Sequence, residues 1–365
     1  MITYRHPLDY GIGAKYYLTH EKLGVEFRVN NDNFYVEEII DFNRLGFNDK
    51  TGNYIVFILE KRNIDTFNAL YNVKKHFNIP VENFIILGLK DKVATTKQYV
   101  FIKRELVDPD SLHEDIISKN YRFKFIGYTL RKPRVDDLVG NKFTIVVNAQ
   151  DNTIYHKLRI LVDKIASRGL PSYYGYQRFG VKRVNTHLLG KYLVLERIDL
   201  FIHELLHGIY PSDETYSLIK RVIETYTGGM VYERMIKVSR DLFSSINKVR
   251  SMTRDLYIDA YTSYLYNLLL NKIIEKTGWE ALDNEYPTIG CMEYYDEYYR
   301  DIAEQELIPE SKLIYFKCWF RRGLFKPMNN TIVRRNNSVL YSFTLRKGCY
   351  ASIVLREIFK EDLIY

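Results

Sequence analysis

Phe84-Ile85-Ile86-Leu87-Gly88-Leu89-Lys90-Asp91-Lys92-Val93-Ala94-Thr95-Thr96-Lys97-Gln98 opens as an apolar run, stops at a glycine, and passes through three charged residues. Runs of four to eight apolar or β-branched residues bounded by turn formers read as strands. The stretch therefore predicts a strand over 84–87, a turn, and a second strand over 99–104. In the turn, Asp91 stands between Lys90 and Lys92. Neighbouring cations hold a carboxylate ionised, as a nucleophile or base requires. Glycine and aspartate also dominate turns for backbone reasons alone, so local chemistry leaves both readings open.

Working outward, runs of the same kind recur at 25–29, 34–40, 54–61, 123–128 and 143–147. Between 61 and 84, Asp65-Thr66 offers an N-cap, and Phe67, Leu70, Tyr71, Lys74 and Phe77 fall on one helical face before Pro80. The first half thus reads as mixed α and β. From about residue 154 the pattern turns helical, over 156–167, 217–225 and, longest, 253–276. An acidic, tyrosine-rich stretch at 293–306 precedes a basic one at 317–335, then a strand at 339–345 and a helix at 351–360. A strand and helix after a helical block imply an inserted domain. The chain would leave a first domain (1–170), build a helix-rich second one (171–325), and return over 326–365 to close the first sheet. Its fold class is then α+β.

At 365 residues the chain has length for two cores. Its 53 Lys and Arg against 45 Asp and Glu give a net charge of +8, an excess compatible with a polyanionic partner such as nucleic acid. Three cysteines, Cys291, Cys318 and Cys349, show no CxxC spacing, which argues against a disulfide framework or a thiolate metal site and points to a reducing, cytoplasmic setting. No apolar stretch is long enough to span a bilayer. The 32 tyrosines supply stacking surface and ordinary packing alike.

Two further motifs carry chemistry. His203-Glu204-Leu205-Leu206-His207 fits the HExxH zinc pattern, but Tyr210 and Asp213 stand where the extended form needs glycine and histidine, leaving Glu224 as a conceivable third ligand. Gly208 and Pro211 would end the helix straight after His207, so a helix-terminal histidine pair is the better reading. Lys317, Trp319, Phe320, Arg321, Arg322, Lys326, Arg334 and Arg335 interleave cations with rings, a composition suited to phosphates and unpaired bases, and equally to a solvated face.

Taken together, the motifs resemble one family. Gly88 to Gln98 matches GxKDxxAxTxQ of the TruD pseudouridine synthases, and further likenesses follow in order. They are Asn33-Phe34-Tyr35-Val36-Glu37-Glu38 to DFxVxE, with Arg28 where a basic residue precedes it; Leu59 to Thr66 to EKxNxDT; Gly140-Asn141-Lys142-Phe143-Thr144 to GNxFT; Tyr173 to Gly180 to NYFGxQRFG; Thr262 to Asn267 to QSxxFN; and Lys347 to Glu357 to GSYATxxLRE. Asn33, Tyr54, Ser172, Arg346, Cys349 and Ser352 depart from the usual residues. The resemblance implies a mixed-sheet catalytic domain interrupted by an insertion domain, and conversion of uridine to pseudouridine in structured RNA, characteristically uridine 13 of tRNA, without cofactor or metal. Asp91 would be the catalytic carboxylate, helped to ionise by Arg28 or Lys90. Phe143 would stack on the flipped uracil and Asn141 would orient the loop or bond the base edge. The segment 177–180 would fix the domain junction. A non-catalytic RNA-binding protein or chaperone on the same fold is the alternative. The implied partner is tRNA, with no membrane and no obligate protein partner.

Overall fold

The structure is a computed structural model that describes residues 2–88, 90, 93–112, 114–150, 152–180, 183–208 and 252–364. Asp91, Lys92, Glu224 and the helix read at 217–225 lie outside the described residues.

A ten-stranded mixed sheet organises the molecule. The strands are numbered β1 to β8 and, after the helical block, β9 to β13. Those in the large sheet are β2 (Phe34–Ile40), β3 (Phe47–Asn48), β4 (Tyr54–Lys61), β5 (Ile85–Ile86), β6 (Thr95–Lys103), β7 (Tyr121–Thr129), β8 (Leu138–Asn148), β11 (Met328–Arg335) and β12 (Ser338–Arg346). Two short pairs complete the numbering: β1 (Phe27–Arg28) with β13 (Leu363–Ile364), and β9 (Glu285–Pro287) with β10 (Phe320–Arg322). The path across the sheet is β11-β12-β8-β2-β6-β4-β7-β3, with β5 also on β6 and Ile116–Ile117 on β7. Within it β2 and β6 run parallel, Val36 opposite Thr96. The other pairings are antiparallel.

The helices are α1 (Pro7–Ile12), α2 (Thr66–Phe77), α3 (Asn152–Arg168), α4 (Thr186–Val194), α5 (Ile198–His207), α6 (Met252–Thr277) and α7 (Ala351–Phe359). Helix α2 starts where its cap implied, with Asp65 accepting from the Asn68 amide. Its buried face differs from the one read in the sequence. Thr66, Ala69, Leu70 and Val73 are buried, packing against Ile55, Phe57, Leu59, Val100 and Ile102, whereas Phe67 and Tyr71 are 56% and 52% exposed. A helix turns 100° per residue, so Phe67, Tyr71 and Lys74 form a neighbouring stripe; there the Lys74 ammonium lies 4.0 Å from the Tyr71 ring centre.

The chain leaves the sheet through Leu170–Pro171 and comes back through Leu324–Phe325, and these two segments pair with each other. One apolar core runs through both regions, taking in Phe34, Phe143, Ile145 and Phe343 from the sheet, Leu161 from α3, Leu265 and Leu269 from α6, and Val354 and Ile358 from α7. Much of the tyrosine excess sits in this core with its hydroxyls satisfied. Tyr173 donates to Asn271, Tyr176 to Asp9, Tyr266 to the Arg321 carbonyl and Tyr299 to that of Pro287.

The cysteine reading needs correction. Cys291 and Cys318 are joined by a disulfide, with Cα atoms 4.5 Å apart. Pairing of β9 with β10, continued by the Thr288 amide donating to the Trp319 carbonyl, brings together residues 27 apart in sequence. Local spacing carries no trace of that register. Cys349 is free. Among the described residues no helix is long and apolar enough to cross a membrane.

Candidate active site

Strand β5 is shorter than the run at 84–87: only Ile85 and Ile86 pair, with Phe101 and Val100 of β6. At Gly88 the chain turns, and the Lys90 side chain folds back onto β2. Its ammonium lies 2.8 Å from Glu38 Oε1, the two side chains 8% and 0% exposed. Glu38 Oε2 accepts the Tyr99 amide at 2.9 Å. Burial pushes the Glu38 carboxyl above the usual range, while Lys90 and the Tyr99 amide act in the opposite direction. A Cβ at Gly88 would lie 3.3 Å from Lys90 Nζ and 3.6 Å from Glu38 Oε1, so any larger residue would crowd the ion pair.

A second cation reaches the same loop from below. Lys61, 2% exposed at the end of β4, donates to the carbonyls of Ile64 at 3.0 Å and Lys90 at 3.2 Å. Gln98, fully buried, accepts from Thr66 Oγ1 at 2.9 Å and reaches the Gly88 carbonyl at 3.5 Å. Among the described residues, the ammonium groups of Lys61 and Lys90 and the Glu38 carboxyl therefore meet at this loop.

Asn141 completes the near wall. On β8 it stands opposite Glu38 of β2 and Leu345 of β12, next to a register shift between Leu138 and Gly140. Its Oδ1 is buried with no hydrogen-bond partner among the described residues, and so is Thr96 Oγ1. An unsatisfied buried polar atom costs roughly 1–3 kcal/mol, so these are places where an incoming donor is rewarded. Phe143, two residues along the same face and 8% exposed, lies in a row of rings with Phe34 at 6.0 Å and Phe343 at 5.4 Å.

Of the residues singled out in the sequence, Lys90, Asn141 and Phe143 thus gather at one end of β2 and β8. Arg28 does not join them. It is exposed on β1, and its backbone carbonyl anchors Asn30 and Asn33. The loop that follows reaches the site's margin, where the Asn31 carbonyl accepts from Thr95 and the Asn31 amide donates to Asn63. Glu38, Lys61 and Gln98 belong to the site although the sequence did not single them out. Glu38 left a signal, a carboxylate at an inward position of an alternating strand.

The other motifs fall elsewhere. Helix α5 ends at His207 with Gly208 as its cap, Glu204 accepts from Asn185, and Arg183 binds the carbonyls of Glu204, Leu205 and Gly208. No group of three metal-ligating side chains occurs among the described residues. In the 177–180 segment, Gln177 accepts from Ser352 of α7, and Arg178 donates to Ser263 of α6. Asn267 of α6 donates to the carbonyls of Ile12 and Tyr174. The basic and aromatic run divides. Lys317 pairs with Asp255, Arg334 and Arg335 are exposed on the edge strand β11, and Trp319 to Arg322 line a cavity of about 490 Å³.

Comparison with known proteins identifies the family. The family described as tRNA pseudouridine synthase D (TruD) matches residues 11–285. The probable tRNA pseudouridine synthase D of Saccharolobus solfataricus is 29% identical over 98% of both chains. That of Sulfurisphaera tokodaii is 31% identical over 85% of this chain and 86% of its own. The crystal structure of the putative tRNA pseudouridine synthase D from Methanosarcina mazei superposes with a TM-score of 0.68 over 96% of this chain and 97% of its own, at 20% identity, and so shares the fold. The chain belongs to the TruD family of tRNA pseudouridine synthases.

Proposed function

We propose that this pseudouridine synthase isomerises uridine 13 of tRNA, with Asp91 as the catalytic carboxylate. The observation that supports this most strongly is the buried cationic nest around residue 90, one peptide bond from Asp91, built from Lys61 on the Lys90 carbonyl and Lys90 on Glu38. In this reading the neighbouring ammonium groups favour the ionised form of the Asp91 carboxyl, as both attack on the sugar and removal of a ribose proton demand.

The isomerisation balances within the substrate. The N1–C1′ bond breaks, C5–C1′ forms, the C5 proton leaves and N1 gains one, so no redox or metal partner is needed. The uridine must first leave its stack for those atoms to be reached. Asn141 Oδ1, an acceptor without a donor among the described residues, suits the N3–H of uracil, and Phe143 with its neighbouring rings gives the base an apolar wall. Arg28, exposed at the margin, is placed in this reading on an RNA phosphate.

Mapping pseudouridine in a transcribed tRNA treated with the protein tests the target. Modification at position 13, lost when that uridine is replaced by cytidine, is expected. Modification confined to other positions sinks the target assignment, and tight binding with no pseudouridine anywhere makes the chain a binder only.

A further inference from the structure

We propose that the 490 Å³ cavity between β10 and the turn joining β12 to α7 holds a second, unpaired nucleotide of the RNA, flanking the one that reacts. The inference rests on the chain being an RNA-modifying enzyme. The cavity has the size of a small-molecule site, and Phe320, Arg321, Arg322, Lys326, Arg346 and Lys347 line it.

Its charge is not balanced from within. The carboxylates Asp283 and Glu285 also line it, and among the described residues the one contact between opposite charges inside is Arg322 with Glu285, at 3.7 Å. Lys347 faces Asp136 at 3.1 Å, and the Lys326 ammonium rests on the Ser167 carbonyl. Arg321 holds two carbonyls, Ser172 at 3.1 Å and Gly348 at 2.7 Å, with its guanidinium 4.3 Å from the Tyr174 ring centre. Its Nη2 is buried without a partner among the described residues. The exposed Arg346 side chain makes no ion pair or hydrogen bond with the described residues. A phosphate group is the anion that several converging cations fit best.

Beside these cations stands an exposed ring. Phe320 is 46% accessible, yet Tyr294 holds it edge-to-face at 5.4 Å. A fixed, open aromatic face among cations is the platform on which single-stranded bases stack, whereas a base inside a duplex has both faces covered. An acidic peptide would answer the charge and leave the ring unused, so the observations favour RNA.

Position ties the cavity to the reacting site. Arg346 stands opposite Gly140 in the β8–β12 register, and Leu345 opposite Asn141. The cavity and the catalytic wall thus lie on neighbouring strands at the same end of the sheet.

The test is a binding cycle with tRNA transcripts carrying single abasic sites around the target uridine, measured against wild type, Phe320→Leu and Arg346→Gln. Phe320→Leu should weaken binding by roughly ten- to a hundredfold, with Phe320→Trp restoring it. Arg346→Gln should lower the slope of log affinity against log salt by about one. One abasic position should weaken wild-type binding equally and add nothing to Phe320→Leu. Unchanged affinity of Phe320→Leu, additive losses at every abasic position, or competition by polyglutamate with no effect of Phe320→Leu would each overturn the proposal. Because binding alone is read, the result stands apart from whether pseudouridine forms.

Discussion

At the scale of single residues the site depends on charges that only their partners make tolerable. Removing one member of a buried ion pair strands the other, at a cost of about 3–5 kcal/mol, whereas replacing both with apolar groups is close to neutral. Lys90→Met should therefore destabilise the chain by about that much in urea denaturation, and Glu38→Leu added to it should restore most of the loss. Recovery absent in the double variant would mean that the pair is not the source. His187 gives a pH signature. Stacked on Tyr264 at 4.8 Å, buried, and near Lys191, its imidazole is pushed down to about 3. A folded-state value below the unfolded one near 6.5 contributes stability that is complete above 6.5 and is lost as pH falls toward 3, at up to roughly 1.4 kcal/mol per unit. Urea midpoints between pH 7 and 4 should fall less steeply in His187→Phe than in wild type. Lys90 and Asn141 were legible because their motifs are contiguous. Glu38 and Lys61 act through Lys90, 52 and 29 residues away in the chain, and those contacts appear only once the turn after Gly88 folds onto the strands.

At the scale of elements, the strands that meet a core were the easiest to read. The run at 34–40 coincides with β2 because alternation survives where one side meets a core. The run at 54–61 coincides with β4 because cores on both faces make 54–59 apolar throughout, Ile55, Phe57 and Leu59 on one side and Val56 on the other. Strand β11 was missed. Asn329, Thr331, Val333, Arg334 and Arg335 are all exposed on an edge strand, and charge there suppresses the pattern while guarding against pairing with another chain. The face of α2 was misread because aromatic bulk was taken for core, when smaller Ala69 and Val73 fit against the sheet. The disulfide was invisible for want of the β9–β10 register. It closes 27 residues of chain, for which loop entropy gives roughly 3–4 kcal/mol. Cys291→Ser should lower stability by about that amount under oxidising conditions and by nothing once wild type is reduced.

For the whole molecule, one buried knot holds the two ends of the chain to the middle. Arg356 of α7 meets Asp9 of α1 at 2.7 Å and donates to the carbonyls of Ala14 and Tyr16, and Tyr17 and Tyr176 both donate to Asp9. Glu357 accepts the amides of Leu18 and Thr19. The motif at the C-terminal end is thus architecture, fixing α7 behind the sheet that carries Asn141 and Phe143. Arg356→Met should cost about 3–5 kcal/mol and expose residues 14–19 to amide hydrogen exchange well before the sheet opens. Equal protection in both regions would show that the knot does not act locally. The central proposal is that the carboxylate after Lys90 performs the isomerisation. Its most direct test is single-turnover pseudouridine formation on a tRNA transcript by Asp91→Asn, with RNA affinity measured in parallel. The account predicts RNA binding close to wild type and no detectable pseudouridine; pseudouridine formed at the wild-type rate by Asp91→Asn would contradict it.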